Sequence, residues 1–180
     1  AANVAYGYWS HDVVGGQLDD GSTWADYELS VRWIQTAAWS PVFRMHDKGA
    51  GTGDCASEGA CARVVPMDLP SFAFRAAREA VQLRDLLVPY IYTAAFAGAS
   101  SGLALCRPMY YENPGDAALY RLDHQYLFGP DMVVSPITRP SSEPEGGSRR
   151  PWVQQALGAV RWAVHAPASP GGWVDRLNGE

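Results

Sequence analysis

Two short stretches carry residue types that could do chemistry. In YGYWSHDVVGG, residues 6 to 16, a histidine and an aspartate stand between an aromatic run and a glycine pair. In SPVFRMHD, residues 40 to 47, a histidine ends a short apolar run. A carboxylate accepts hydrogen bonds from two adjacent hydroxyls, and an imidazole donates one bond and accepts another. Asp12 and His46 are therefore candidates for gripping a polyhydroxylated ligand. Each has a plainer reading. An aspartate before a glycine pair is often a turn residue, and Asp47 could hold His46 in a loop. His11 must point to the opposite face of a strand from Asp12, which makes it structural.

The elements that must position these residues follow from periodicity. Residues 3 to 9 (NVAYGYW) mix aromatic and small residues as a buried strand does, and Gly15-Gly16 breaks it. From Asp26, a plausible N-cap, DYELSVRWIQTAAW has helical spacing, with Leu29, Trp33 and Ala37 on one face. Ser40-Pro41 ends that helix. A short strand, Val42 to Met45, then leads to His46. Residues 47 to 70 form a long loop rich in Gly, Ala, Asp and Cys.

The strongest helix covers Ser71 to Val88, with Phe72, Ala76, Ala80, Leu83 and Leu87 as its apolar stripe and Arg75, Arg78, Glu79 and Arg84 on other faces. Pro89 should kink or restart it, and IYTAAFAGA continues it to Gly102. Beyond Gly102 the texture changes to short aromatic and β-branched runs separated by Pro and Gly, which read as strands. Among them Arg107 reads as a buried ion-pair partner, and the pairs Tyr90-Tyr92 and Tyr110-Tyr111 read as core or interdomain packing rather than sugar stacking. Residues 139 to 151 (RPSSEPEGGSRRP) read as a polar loop. The order is strand, helix, strand, helix, then strands: an α/β unit followed by an antiparallel sheet or sandwich.

Composition narrows the function. The chain has 180 residues and a formal net charge of -5, with basic residues scattered apart from Arg149-Arg150. A nucleic-acid groove needs clustered positive charge, so that partner is not expected. No stretch approaches the ~20 apolar residues of a membrane span. The opening AANVAYGYW lacks a basic leader region and reads as the middle of a domain, so it does not disclose the compartment. Three cysteines, Cys55, Cys61 and Cys106, are an odd number, which argues against a disulfide framework. Cys55 and Cys61 could pair or stay as thiols, and their spacing without a histidine pair is not a zinc pattern. No metal or cofactor is expected.

Taken in order, YWSHDVVGG, RWIQTAAWSPVFRMH, LRDLLVPYIYTAA, GLALCRPMYYENP and DHQYLFGPDMVVSPI resemble the C-terminal part of glycoside hydrolase family 31, the α-glucosidases and α-xylosidases. The similarity covers most of residues 4 to 138, with a weaker echo from Pro170 to Asp175. The resemblance implies a (β/α)8 TIM barrel followed by β-sandwich domains. YGYWSHD would be the seventh barrel strand, SPVFRMH the eighth, and Ser71 to about Ser100 the closing helix. Residues 1–102 would be the last two βα units, and 103–180 the start of the sandwich.

It also implies that Asp12 and His46 bond sugar hydroxyls in the subsite where the glycosidic bond is cut. Trp9 would wall the ring, and Arg44 would orient neighbouring carboxylates. Such bonds can strengthen as the ring approaches its oxocarbenium-like transition state. In place of the family's His-Asp-Ile-Gly-Gly, this chain has His11-Asp12-Val13-Val14-Gly15-Gly16. An inserted residue at a strand end can re-aim a side chain.

Retaining glycosidases need a nucleophile and an acid/base about 5 to 5.5 Å apart. The family carries both on earlier barrel strands, and nothing in this chain resembles those segments. Asp19-Asp20 and Asp54 with Glu58 read as solvated. The expectation is a piece of a larger hydrolase that supplies sugar contacts but no bond-breaking groups, inactive and poorly behaved alone. Its partners would be an α-glucoside or oligosaccharide and the remainder of the barrel. The competing reading is a non-catalytic carbohydrate-binding or structural remnant. Family resemblance slightly favours the secretory pathway.

Overall fold

The computed structural model describes residues 1–11, 13, 27–45, 69–138, 164–166 and 174. Helix α1 spans Tyr27–Ala37. It packs Val31, Ile34 and Ala37 into a core with Ala73, Ala77 and Ala80 of α2, which spans Ser71–Ser101. Val13 and Leu69 complete this core, and Tyr27 and Trp33 flank it. The inner face of α1 thus runs through Tyr27, Val31, Ile34 and Ala37, so Ala37 lies on it as expected. The expected stripe of Leu29, Trp33 and Ala37 takes two steps of four, which drift around the helix. Leu29 accordingly lies 53% exposed.

α2 keeps Ala80 and Leu87 of its expected stripe, with Ala76 packed beside them, and departs from it at Phe72. Its buried residues are Ala73, Ala77, Ala80 and Leu87, whereas Phe72, expected on the stripe, is 42% exposed. Three alanines on this line let α1 approach closely, and the larger Val31 and Ile34 fill the space between the helices. Burying a side chain such as Ile34 contributes about 1.5–3 kcal/mol.

Pro89 does not end α2, which is one helix of 31 residues. The proline removes the bond that would reach Asp85, but both residues are exposed, so water can satisfy the freed carbonyl. Just beyond it, Tyr90, Ile91 and Ala94 pack against the strands that follow, which offsets the roughly 3 kcal/mol cost of an interior proline. Gly102 closes the helix in the left-handed conformation, φ 76°, with its N–H donating to the Gly98 carbonyl at 2.8 Å.

Three strands follow: β1 (Cys106–Pro108), β2 (Tyr126–Phe128) and β3 (Met132–Val134). They form an antiparallel meander with Cys106 opposite Phe128 and Phe128 opposite Met132. Alternation divides the side chains. Cys106, Phe128 and Val134 face α2 in a core that also takes Leu105, Trp9 and Trp39. Leu127 faces the other way, with Met109 and Leu119.

Tyr90 joins helix to sheet. Its hydroxyl donates to the Phe128 carbonyl at 3.0 Å and accepts from the Asp131 N–H at 3.2 Å. Arg107, only 7% exposed, bonds Glu112 at 2.8 Å and the carbonyls of Ala104 and Gly129, the ion-pair role its context suggests. Gln125 exchanges two hydrogen bonds with the backbone of His165, at 2.7 and 2.8 Å, as a neighbouring strand would.

The N-terminal strand differs from expectation. Ala2–Val4 form a 3-10 turn, and Ala5 at φ 55° diverts the chain from an extended path. Tyr110 and Tyr111 hold this turn through Asn3 and the Ala2 carbonyl. Among the described residues, 42 to 45 likewise form one parallel bridge, Val13 to Met45, and no longer ladder.

Candidate functional site

Asp12 and His46 lie outside the described residues, as do Asp26, the Asp19-Asp20 and Asp54–Glu58 carboxylates, and Cys55 and Cys61. Their immediate neighbours are described. Val13 and Met45 form the parallel bridge, and the Val42 N–H donates to the Trp9 carbonyl at 3.2 Å. The two stretches that carry Asp12 and His46 therefore run side by side in one direction. Val13 is fully buried against α1 and α2.

His11 turns toward the same helix layer. The Trp33 indole N–H donates to its Nδ1 at 2.8 Å, and its Nε2 meets the Ser40 hydroxyl at 3.0 Å. Its ring stacks on Trp33 and tilts against Trp9. The structural role expected for His11 has this physical content: it ties the first stretch to α1 and to the turn after it.

That turn has its own clamp. Arg84 Nη1 donates to the carbonyls of Ala38, at 3.0 Å, and Ser40, while Nη2 donates to that of Pro41 at 2.9 Å. These carbonyls follow the C-terminal end of α1 within four residues, close to the negative end of its dipole. Burial pushes the Arg84 guanidinium below its ordinary value, although arginine remains charged at neutral pH. Arg84 looks like a surface residue in the sequence. The corrected stripe 73, 77, 80, 84, 87 puts it on the inner line, and that spacing was the available signal.

Behind the turn, the Trp39 carbonyl accepts from the Tyr126 hydroxyl at 3.0 Å and lies 3.6 Å from the Cys106 sulfur. Burial pushes the Cys106 thiol up to about 12 and raises the Tyr126 phenol as well. Trp9 is half-buried against this second core, and Arg44 is exposed. Among the described residues no three His, Cys, Asp or Glu side chains gather as a metal site would need, and no helix is long and apolar enough to cross a membrane.

A parallel strand contact backed by two helices, running directly into an antiparallel sheet, defines a βα-type segment joined to a β unit. The chain belongs to glycosyl hydrolase family 31: the family's TIM-barrel domain matches residues 1–94 and its C-terminal domain residues 102–177. An alpha-xylosidase of Saccharolobus solfataricus is 31% identical over 74% of this chain and 17% of its own length. A probable alpha-glucosidase of Oryza sativa subsp. japonica is 30% identical over 77% of this chain and 14% of its own. Among solved structures, a family 31 dextranase of Flavobacterium johnsoniae complexed with glucose superposes with a TM-score of 0.62 at 28% identity. That match covers 77% of this chain and 16% of the dextranase. The chain thus spans about a sixth of the length of these relatives.

Proposed function

We propose that this chain supplies part of the sugar-binding subsite of a retaining family 31 glycosidase acting on terminal α-linked glucosyl or xylosyl residues. In this reading Asp12 and His46 bond the sugar hydroxyls, Trp9 walls the ring and Arg44 orients neighbouring carboxylates. The nucleophile and the acid/base belong to barrel strands supplied by the rest of the enzyme. Residues 1–102 act as the last βα units and 103–180 as the start of the β-sandwich.

The observation that carries the reading is the parallel bridge between Val13 and Met45. It lies next in sequence to both proposed ligands, on neighbouring strand segments whose spacing is about 4.8 Å in a sheet. His11 and Val13 both turn into the helix layer.

The test uses nitrophenyl α-glucosides. The 180-residue chain alone should release no nitrophenol, and the polypeptide that carries the complete barrel should. There Asp12→Asn should lower kcat/KM by about 100-fold, the loss of charge-assisted bonds to two hydroxyls. Hydrolysis by the chain alone would overturn the claim that its acids lie elsewhere. An unaltered kcat/KM in Asp12→Asn would remove Asp12 from the site.

A further inference from the structure

The geometry points to Arg84 as a positioning residue: by clamping the turn after α1, it sets the register between the two strand segments that carry the proposed sugar contacts. The inference rests on that proposed subsite and adds a residue that touches neither sugar nor strand end.

The argument runs through Ser40. Its carbonyl accepts from Arg84, while its hydroxyl meets Nε2 of His11, the residue before Asp12. On one side of Ser40, Arg84 also holds Ala38, and on the other it holds Pro41. Immediately after Pro41, the Val42 N–H donates to Trp9, and three residues later Met45 bridges Val13. Turning the peptide planes at Ala38, Ser40 or Pro41 would therefore move the second segment along the first and pull on His11 together.

An arginine suits this task. Its planar fork reaches three converging carbonyls in fixed directions, whereas the ammonium of lysine is a compact point charge without that geometry. A capping role alone would need only neutralisation of the acceptors at the helix end. The registry role needs all three held in a set relation, because a small displacement of substrate-binding groups costs far more in turnover than in stability.

The experiment compares hydrolysis of a nitrophenyl α-glucoside with that of analogues lacking single ring hydroxyls. It uses the polypeptide that carries the complete barrel, its Arg84→Lys variant and its Asp12→Asn variant. Arg84→Lys should melt cooperatively yet lose about tenfold or more of the preference for the fully hydroxylated glycoside, as misplaced ligands stop reading the hydroxyls. A lowered melting temperature with that preference unchanged would overturn the inference and leave Arg84 a cap. Should Arg84→Lys lack a cooperative melt, Arg84→Gln is read in the same way. A preference lost in Asp12→Asn but kept in the Arg84 variants sinks this inference alone. A preference kept in all variants sinks the subsite reading with it.

Discussion

The indole N–H of Trp33 donates to Nδ1 of His11 at 2.8 Å, and this bond decides which imidazole nitrogen carries the proton. An indole can only donate, so Nδ1 is the acceptor and Nε2–H faces the Ser40 hydroxyl. Trp33→Phe should keep the ring stacking and lose the donor. We expect a cost of about 1 kcal/mol and a His11 that no longer favours one tautomer, read from its ring nitrogen chemical shifts. An unchanged tautomer would mean that Ser40 suffices to fix it.

Gly129 and Gly102 both sit at positive φ, 63° and 76°, but their surroundings differ. A Cβ on Gly129 would collide with the Tyr90 ring, whereas one on Gly102 meets nothing within 4 Å. Gly102→Ala should cost only left-handed strain, about 1–2 kcal/mol. Gly129→Ala should cost that and also displace Tyr90 from the hairpin. Urea unfolding midpoints compare the two, and equal losses would contradict the collision.

The Cys106 thiol, raised to about 12 by burial, should resist thiol reagents at pH 8 until the chain is unfolded. The linkage has a definite sign. With its folded value above the unfolded one, the thiol keeps more protons in the native state. Its contribution is whole below about pH 9 and declines as the pH rises toward 12, by up to about 1.4 kcal/mol per pH unit. Tyr126, raised in the same core, adds to the decline from about pH 10. Cys106→Ala should flatten the first part of it. An equal slope in the variant would show that Cys106 does not carry the effect.

The outer side of α2 exposes Leu86, Tyr92 and Phe96 at 73, 73 and 72%. Tyr92 therefore packs in none of the cores among the described residues, while Tyr90 packs against the sheet. Apolar exposure on this scale favours association. Sedimentation velocity of the 180-residue chain alone should show species that grow with concentration. Replacing Leu86, Tyr92 and Phe96 with Gln, Ser and Gln should shift it toward monomer. A monomeric parent chain would count against the expectation.

Much of the fold is legible in the sequence because it rests on local rules. The two helices, the change of texture at Gly102 and the strands around Cys106, Leu127 and Val133 all follow from periodicity and from Pro and Gly punctuation. The expected helical faces hold at Ala37, Ala80 and Leu87 and fail at Leu29 and Phe72, where the smaller Ala73 and Ala77 and the neighbouring Val31 make the contact between the helices. The line that packs is marked by small size, a property of the partner helix rather than of the segment. The spacing of Arg84 on the inner line of α2 is legible, but its acceptors are backbone carbonyls more than forty positions away, which no local pattern discloses. For the site, the roles proposed for Asp12 and His46 rest on family motifs, and the structure adds the contacts of His11, Val13 and Met45, their neighbours in sequence.

α2 gives its first half to the α1 core and its second half to the sheet, in one uninterrupted helix. The residues matched by the family's barrel domain end at 94 and those matched by its C-terminal domain begin at 102, so the handover falls inside or at the end of this rod. Modularity is what such a join forfeits. There is no slack segment at which the two parts could be recombined, swung or clipped apart, and the heading of the sheet is inherited from the direction of the helix. A chimera cut near residue 98 would inherit a wrongly aimed second half unless the whole of α2 travelled with one parent.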